Sequence, residues 1–464
     1  MKFSPVWITV LGASLLATDS FAGPSAQWWL TTPDRSALLS AQVAPLPFVP
    51  ATQTSMAAIS VDPQQHYQEI DGFGFALTGG SADHLLKLPA AQRRQLLEEL
   101  FSPAGNGIGV SYLRVSIGAS DLNQRVFSYD DLPAGQTDVN LERFSLDEDI
   151  GNIVPVLREI LAINPHIPIL GSPWSAPAWM KTNQNVRGGK LQPACYPVYA
   201  RYFARYVQAM AREGITIDAV TVQNEPFNDL NTPSMQFFAK EEAAFIRDHL
   251  GPAFQAGGLQ TKIILYDHNC DAPEYPVAIL TDPAARKFVA GSGFHLYAGS
   301  ASAMTVVHDR FPEQGIYFTE MMVVNDGGFA ISRPTARILI GVTRNWSRNV
   351  ILWNLAADAK FQPHTDNGGC SMCQGAITID GDKIERNLAY YVIGHAAKFV
   401  PPGSVRIGST DNAALPNVAF LTPANRVVLI VANVGDTPRK FDVACAGQVM
   451  QPEIPAGAVA TFVW

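Results

Sequence analysis

A chain of 464 residues, 47% hydrophobic and 16% charged, is long enough for one large globular domain and a smaller one, and its composition excludes a disordered protein. The net charge of −8, with no basic run, argues against nucleic acid and anionic membranes as partners and favours a neutral substrate. Five cysteines cannot all pair within one chain. The local pair Cys370 and Cys373 favours a disulfide; free thiols come second, and zinc third because no second ligand pair follows at suitable spacing.

The N-terminus has the pattern of a secretory signal peptide. Lys2 supplies the positive charge, residues 6–17 form an apolar stretch, and residues 20–22 form a small-x-small cleavage site. A membrane anchor is the alternative, but the apolar stretch is shorter than the roughly 20 residues that span a bilayer. We therefore expect cleavage near Ala22, a secreted or periplasmic protein, and no transmembrane segment.

From residue 71 to residue 354, short β-branched runs alternate with longer amphipathic stretches, which predicts a parallel sheet with crossover helices. The predicted strands are 72–76, 111–116, 167–172, 217–223, 262–267, 293–297, 315–320 and 349–354. Helices with apolar positions three to four apart are predicted between them, for example at 91–101, 147–163, 196–212 and 234–249. Eight such units predict an α/β fold of the TIM-barrel type, in which the chemistry takes place at the C-terminal ends of the strands.

After residue 403 the pattern changes to short alternating runs with turns and no helix, at 418–421, 426–433 and 458–464, which predicts a small β-sandwich. Strand-like runs at 57–62 and 67–70 are expected to pair with it, so that the two chain ends meet in one sheet. The predicted organisation is a signal peptide (1–22), an N-terminal tether or strand segment (23–56) that is proline-rich at 41–54, N-terminal sandwich strands (57–70), a catalytic TIM barrel (71–400) and a C-terminal β-sandwich (401–464).

Two glutamates stand at the ends of two predicted barrel strands. Glu225 follows the fourth strand within Gln223-Asn-Glu-Pro226, and Glu320 ends the seventh. Cleaving an acetal at neutral pH needs a protonated leaving oxygen and a stabilised oxocarbenium-like carbon, so this pair indicates a glycosidase. Glu225 is the candidate acid/base and Glu320 the candidate nucleophile. The alternatives are a surface turn for Glu225 and a strand-end ion pair for Glu320.

Polar and aromatic residues recur at the same ends of the predicted strands. A sugar site needs this mixture, because aromatic faces stack on a pyranose while carboxylates and amides bind its hydroxyls. The candidate substrate-binding residues are Asp121, Trp174, Asn224, Tyr297 and Trp353.

Four further residues are candidates for supporting roles. Arg114 lies inside an apolar strand, where an arginine is costly unless a carboxylate meets it; we expect Arg114 and the Tyr297 hydroxyl to keep Glu320 ionised. A purely structural ion pair is the alternative. His295 and His268 can orient a carboxylate or bind a sugar hydroxyl, and a core position is the alternative for both. Trp179 lies near the mouth, and packing beneath it is the alternative for Trp179 and for Trp174.

Taken together, these residues resemble glycoside hydrolase family 30, which includes lysosomal glucosylceramidase and bacterial relatives. The resemblance covers nearly the whole mature chain. It implies a TIM barrel with an attached β-sandwich, retention of anomeric configuration, and the roles given above for the two glutamates and the five substrate-binding residues. The motifs that carry the resemblance are 71–78, 113–121, 172–182, 221–226, 293–297, 318–320, 352–355 and 391–403.

Residues 367–380 depart from the lysosomal enzyme and are more similar to the bacterial members. Loops at a barrel mouth select what lies beyond the scissile bond, so the aglycone stays open. The leading hypothesis is hydrolysis of a β-glucoside, with glucosylceramide as the first substrate. An endo-β-1,6-glucanase or another β-glycan hydrolase is the alternative, and a non-catalytic carbohydrate-binding protein is a remote one. No metal or cofactor is required, and the partner expected is a glycolipid or β-glucan substrate.

Overall fold

The structure of the protein is a computed structural model that describes residues 24–51, 58–325 and 328–464. The predicted signal peptide lies outside the described residues. Eight parallel strands, each paired with its chain neighbour and the eighth with the first, close into a barrel and confirm the predicted TIM fold. They are β1 (Gly72–Ala76), β2 (Tyr112–Ile117), β3 (Ile169–Pro173), β4 (Ala219–Thr221), β5 (Lys262–Cys270), β6 (Val289–Gly299), β7 (Gly315–Glu320) and β8 (Ser347–Leu352).

Helices connect the strands, and two differ from the sequence prediction. The predicted helix 147–163 is interrupted, because Asn152 takes a non-helical conformation (φ −133°, ψ −83°). The helix predicted from residue 234 begins at Ala239, since the amides of Gln236 and Phe237 donate to the carbonyls of Gly189 and Pro226. The helices are Gly79–Lys87, Ala90–Phe101, Asp147–Ile150, Ile153–Ile163, Tyr196–Arg212, Ala239–Phe245 extended by Ile246–Leu250 and Gly251–Ala256, Glu274–Thr281, Pro283–Arg286, Ser302–Arg310, Ser332–Pro334 extended by Thr335–Ile340 and Gly341–Arg344, and Leu388–Ala397.

Side chains fill the barrel interior in layers. The layer toward the N-terminal ends of the strands is largely apolar and consists of Tyr112, Leu170, Ala219, Ile264, Tyr317 and Ile351. Successive strand residues alternate between faces, so the residue two positions further on points into the barrel again. On four strands that next residue is Arg114, Ser172, Thr221 or Thr319, all fully buried. A polar layer therefore lies between the apolar base and the mouth.

The β-sandwich is built from both chain ends, as predicted. Ser25–Thr31 pairs with Val459–Val463, and Ile59–Ile70 pairs with Ser404–Ser409. Across the sheet the strands are Ser40–Ala41, Ser25–Thr31, Val459–Val463, Val427–Ala432, Asn417–Leu421, Ser404–Ser409, Ile59–Ile70, Val443–Cys445, Gln448–Met450 and Val49–Pro50, with Leu46–Pro47 on Ser25–Thr31. Smaller sheets are Ala356–Ala357 with Ile377–Asp380 and Lys383–Arg386, and Arg439–Lys440 with Glu453–Ile454.

Where the sequence predicted a proline-rich tether at 41–54, the described part pairs with the sandwich. Leu46–Pro47 and Val49–Pro50 form two-residue strands at its edges. Proline lacks the amide hydrogen of a ladder, so short edge strands are where a sheet accommodates it.

The sandwich is fixed to the barrel through helix Leu388–Ala397. His395 is fully buried, and its two ring nitrogens lie 2.9 Å from Thr461 Oγ1 and 2.8 Å from Thr31 Oγ1, in the two terminal strands. Burial lowers the pKa of His395 to about 3, so this ring is neutral. Within the described parts of the chain, no helix has both the length and the apolar character needed to cross a membrane.

Candidate active site

A cavity of about 460 Å³ opens at the C-terminal mouth of the barrel. Its walls include six of the predicted site residues: Asp121, Trp174, Glu225, Tyr297, Glu320 and Trp353. A cavity of similar volume lies at the opposite end, where it is lined by Tyr112, Lys262 and other residues near the strand N-termini. In TIM barrels that end contributes to stability and the C-terminal end carries the chemistry, so the first cavity is the candidate active site.

Glu225 follows β4 in an unusual backbone conformation. Its φ of 47° lies in the left-handed region, which few residues other than glycine adopt. Its amide donates to the Asp267 carbonyl (3.0 Å), and its carbonyl accepts from the Asn228 amide (2.8 Å). The Asn228 side chain also donates to Glu225 Oε2 (2.7 Å). These bonds fix the carboxylate toward the cavity, and strain of this kind is concentrated at functional sites.

Glu320 ends β7 and receives two hydrogen bonds. Arg114 Nη1 donates to its Oε2 at 2.5 Å, and the Tyr297 hydroxyl donates to its Oε1 at 2.9 Å. The structure thus places both predicted donors on this carboxylate. Burial raises the pKa of Glu320, and the charges of His295 and Arg114 oppose that rise.

The two glutamates face each other across one nitrogen atom. His295 Nδ1 lies 3.1 Å from Glu225 Oε1 and 3.8 Å from Glu320 Oε1. The two Oε1 atoms are therefore at most the sum of these distances apart, about 7 Å. Retaining glycosidases place their carboxyl groups about 5 to 5.5 Å apart and inverting ones about 6.5 to 9.5 Å apart, so this bound excludes most of the inverting range.

Asp267 joins the two sides of the polar layer. Its Oδ2 accepts hydrogen bonds from Arg114 Nη2 at 2.8 Å and from Thr221 Oγ1 at 2.7 Å. Its Oδ1 accepts a hydrogen bond from Thr319 Oγ1 at 2.5 Å and lies 3.0 Å from His295 Nε2. Burial opposes ionisation, but the charge of Arg114 and the hydrogen bonds hold the pKa of Asp267 well below its ordinary value. Asp267 is therefore the ionised partner of both Arg114 and His295.

His295 holds a proton between two carboxylates. Burial disfavours the charged imidazole, but Glu320, Asp267 and Glu225 outweigh burial and raise the pKa of His295 to about 9. Burial likewise disfavours ionised Glu225, but the hydrogen bond and the charge of His295 lower the pKa of Glu225 to about 2. At neutral pH this proton lies on His295, whose Nδ1 atom is 3.1 Å from Glu225 Oε1.

Asp121 is a buried carboxyl group in the cavity wall. Burial and the charges of Glu320 and Glu225 raise the pKa of Asp121 to about 7. Its Oδ2 accepts a hydrogen bond from the Cys370 amide at 3.2 Å. At neutral pH Asp121 therefore exchanges readily between a carboxylate, which accepts from a sugar hydroxyl, and a carboxylic acid, which donates to one.

Two tryptophans form an aromatic wall in the cavity. The rings of Trp174 and Trp353 stack with centroids 5.2 Å apart, and the Arg114 guanidinium lies 4.9 Å from the Trp174 ring. Trp174 Nε1 is buried without a hydrogen-bond partner in the described structure, so it can donate to a ligand. Aromatic faces next to free donors and acceptors suit a pyranose, which has both apolar faces and hydroxyls.

Residues 70–400 match the glycosyl hydrolase family 30 TIM-barrel domain, and residues 403–462 match the glycosyl hydrolase family 30 beta sandwich domain. The chain belongs to glycosyl hydrolase family 30. The motif resemblance is thus confirmed. Among curated relatives, the chain is 34% identical over 437 residues to the endo-1,6-beta-D-glucanase of Neurospora crassa, covering 89% of each chain.

Two further proteins match this chain over most of their length. The lysosomal acid glucosylceramidase of Mus musculus is 28% identical over 440 residues, covering 88% of this chain and 83% of that protein. The solved structure of the endo-beta1,6-glucanase BT3312 is 32% identical and superposes with a TM-score of 0.87, covering 95% of this chain and 99% of that chain.

Three predicted residues lie behind the cavity wall. Asn224 is buried, and its Oδ1 accepts from Arg114 Nη2 at 2.8 Å, which leaves its amide nitrogen as the free donor. Arg114 and His295 act on the glutamates from beneath, as described above. Trp179 was predicted to support the site, but it packs in the hydrophobic core and donates from Nε1 to the Asp130 carbonyl at 3.1 Å. The packing alternative is therefore the correct one for Trp179.

Several site residues were missed by the sequence analysis. Asp267 ends a predicted strand, and the buried Arg114 on β2, a strand that does not pair with β5, was a signal that a further carboxylate was needed but did not show which one. Phe227, Asn228 and Leu230 also line the cavity, but they lie in the loop after Glu225, and no sequence pattern marks them. The predicted disulfide is confirmed as Cys370–Cys373, and both of its cysteines line the cavity.

Among the described residues, one group of three has the geometry to hold a metal ion: Glu225, His268 and His295, whose ligand atoms lie within 4.8 Å of one another. His295 already shares its proton with Glu225 and binds Asp267. Burial lowers the pKa of His268, so this ring is neutral; its Nδ1 lies 3.9 Å from Glu225 Oε1. The same contacts suit proton transfer at Glu225, and that chemistry requires no metal.

Proposed function

We propose that this family 30 glycosidase is an endo-β-1,6-glucanase that cleaves its substrate with retention of configuration. The observation that carries the chemistry is the approach of Glu225 and Glu320 to the same His295 nitrogen, which sets two buried carboxyl groups across a sugar-sized cavity. The β-1,6 linkage is supported by the relatives above 30% identity, which are named as endo-1,6-glucanases. This reverses the substrate order expected from the sequence, in which glucosylceramide came first.

In the first step Glu320 is the nucleophile. Its Oε1, oriented by the Tyr297 hydroxyl, attacks the anomeric carbon while the bond from that carbon to the glycosidic oxygen breaks. Glu225 gives its proton to the leaving oxygen. In the second step Glu225, now a carboxylate, takes a proton from water, and the water oxygen attacks the anomeric carbon and releases Glu320.

The proton for the first step is supplied through His295. Glu225 is ionised in the free enzyme, whereas an acid catalyst must carry a proton when the leaving oxygen needs it. The imidazolium at 3.1 Å holds that proton on the side of Glu225. Transfer from His295 Nδ1 to Glu225 Oε1, and from Glu225 to the glycosidic oxygen, moves one proton along a preformed contact. In the second step the proton that Glu225 takes from water passes back to His295 Nδ1, which restores the resting enzyme.

A second candidate, hydrolysis of glucosylceramide, is favoured by the apolar rim of the cavity. Phe227 is 40% exposed and Leu230 is 66% exposed, and both border the opening. Exposed apolar side chains beside a site suit a lipid, but an aromatic ring also suits a further sugar unit. The relative with 28% identity, a glucosylceramidase, supports this candidate less strongly than the glucanases support the first.

The experiment compares two substrates with the purified protein: a linear β-1,6-glucan and glucosylceramide in detergent micelles. We expect short β-1,6-linked oligosaccharides from the glucan within the first minutes, as internal cleavage requires, and no products from Glu320→Gln. Proton NMR of the initial products reports the new reducing end, which must be β if configuration is retained. Glucose and ceramide from the lipid with an intact glucan would refute the glucanase proposal, and an α product would refute the roles of the two glutamates.

Secretion is also a proposal, because it rests on the signal-peptide pattern of residues 2–22, which lie outside the described structure. Sequencing the N-terminus of protein exported by the native host tests it directly. A mature start near Gly23 is expected, and retention of Met1 would contradict it.

A further inference from the structure

The Cys370–Cys373 disulfide lies in the loop that follows the barrel. After the short strand Ala356–Ala357, residues 358–376, all described, contain neither helix nor strand before the chain returns at Ile377–Asp380. This loop borders the candidate active site, and its two cysteines form part of the cavity wall. A loop of this length without regular structure is uncommon in a compact domain and is usually functional.

The loop makes two contacts with Asp121. The Cys370 amide donates to Asp121 Oδ2 at 3.2 Å, and the Thr365 amide donates to the Asp121 carbonyl at 2.8 Å. Gly369 lies so close that a Cβ placed there would come within 2.9 Å of the Asp121 carbonyl oxygen. The position of the Cys370 amide is therefore coupled to the position of the Asp121 carboxyl group.

The disulfide also packs against the aromatic wall. Cys373 is 3% exposed and belongs to one apolar cluster with Ala76, Leu122, Trp174 and Trp353. Cys370 is half-buried at the edge of this cluster. One end of the covalent bridge is thus anchored in the wall of the sugar site, and the other end carries the amide that faces Asp121.

We propose that the Cys370–Cys373 disulfide is a positioning element of the sugar-binding subsite, which holds the Cys370 amide against Asp121 so that this carboxyl group meets a sugar hydroxyl. The bridge closes a four-residue segment and leaves its backbone few alternative conformations. Reduction by a dithiol transfers two electrons and two protons to the bridge, which becomes two thiols while the dithiol becomes a disulfide. The amide then loses its fixed position, and glycoside affinity falls.

This inference rests on the proposed function, because one of its readouts is glycoside turnover. The test compares the wild type, oxidised and reduced with dithiothreitol, with the double variant Cys370→Ala, Cys373→Ala. Kinetics are measured on an aryl β-D-glucoside, and glucose binding is measured by tryptophan fluorescence. The state of the cysteines is read by alkylation under denaturing conditions and mass spectrometry. Cys195→Ser, which removes a free cysteine outside the cavity lining, is the matched control.

We expect KM and the glucose dissociation constant to rise roughly tenfold on reduction and in the double variant, as loss of a hydrogen bond to a charged group predicts, with a smaller change in kcat. Dithiothreitol should leave the double variant unchanged and affect Cys195→Ser like the wild type. Loss of a donor to the Asp121 carboxylate should also move the acidic limb of kcat/KM to higher pH. A lower melting temperature with unchanged KM, binding and pH profile would overturn the proposal.

A double-mutant cycle with Asp121→Asn separates action through Asp121 from a general effect on the wall. We expect the cysteine substitutions to raise KM less than twofold when Asp121 is already replaced; full multiplication of the two effects would overturn the proposal. If the double variant fails to fold, the reduced wild type decides. Glucose binding that depends on the disulfide without any glycoside turnover would overturn the proposed function alone, and no glucose binding by the oxidised wild type would overturn both.

Discussion

Replacing His295 with glutamine tests where the catalytic proton is held. The pKa of His295, raised from an ordinary 6.5 to about 9, corresponds to roughly 3 kcal/mol in favour of the protonated ring. Glutamine can donate a hydrogen bond to Glu225 but cannot carry the proton. In the wild type the pair should lose its shared proton with an apparent pKa near 9. In the variant the proton is held by the Glu225 carboxyl alone, and without the imidazolium charge the proton should be lost at a lower pH than in the wild type.

The assay is kcat/KM on an aryl β-D-glucoside from pH 4 to pH 10, because this ratio reports the ionisation of the free enzyme. We expect the basic limb near pH 9 for the wild type and at least two pH units lower for His295→Gln. His268→Gln is the matched control: this ring also faces Glu225, at 3.9 Å, but burial lowers its pKa and it carries no charge at neutral pH. The control should keep its basic limb near that of the wild type.

Stability gives an independent readout of the same group. The raised pKa of His295 contributes stability that is fully present below pH 6.5 and is lost as pH rises through about 9. The unfolding free energy of the wild type should therefore fall by roughly 3 kcal/mol more than that of His295→Gln over this interval, measured by urea denaturation. A basic limb that stays in place in His295→Gln, together with parallel stability curves, would refute the proton-supply mechanism.

Three further predictions test other parts of the site. Asp267→Asn breaks a fully buried ion pair and should lower the unfolding free energy by about 3 to 5 kcal/mol in urea titrations. Asp248→Asn breaks an exposed pair and should lower it by under about 1 kcal/mol. Equal losses in the two variants would contradict the buried network. Glu225→Gln should lower kcat/KM for the glucan by about 10² to 10⁴-fold but affect glucosides with acidic phenol leaving groups much less, and equal losses would exclude it as the acid. Leu230→Ser, at an exposed rim position, should raise KM for a long glucan about threefold and leave KM for the aryl glucoside unchanged. An unchanged KM for the glucan would show that the rim makes no contact with substrate.

Much of the fold follows from local patterns in the sequence. β1 and β7 were predicted with the bounds that the structure has, because short apolar runs of five or six residues are bounded by glycine or by Glu320. The strand Ser25–Thr31 was not identified separately from its neighbours. Its partner, Val459–Val463, lies at the other end of the chain, and a pairing over that distance leaves no local signal.

The candidate site likewise contains residues that local sequence patterns predict and residues that they do not. Glu225 and Glu320 could be predicted because each ends a strand, and strand ends converge in a barrel. The role of Asp267 could not, because it depends on Arg114, 153 positions away, and on a shift in register between β5 and β6 at Tyr266 and His268. The contact of the Cys370 amide with Asp121 was equally invisible, since a backbone donor carries no residue-type signal.

The balance of charge explains why groups of this site bind protons at neutral pH. Four buried carboxyl groups, Asp121, Glu225, Asp267 and Glu320, are met by a single guanidinium, that of Arg114. Charges removed from water must be compensated, because an uncompensated buried charge is costly. Protons compensate part of the remaining charge, which is why the pKa of His295 rises to about 9 and that of Asp121 to about 7. Because the barrel interior has too few cations, His295 holds a proton at neutral pH with its Nδ1 3.1 Å from Glu225 Oε1, and the proposed mechanism draws on that proton in its first step.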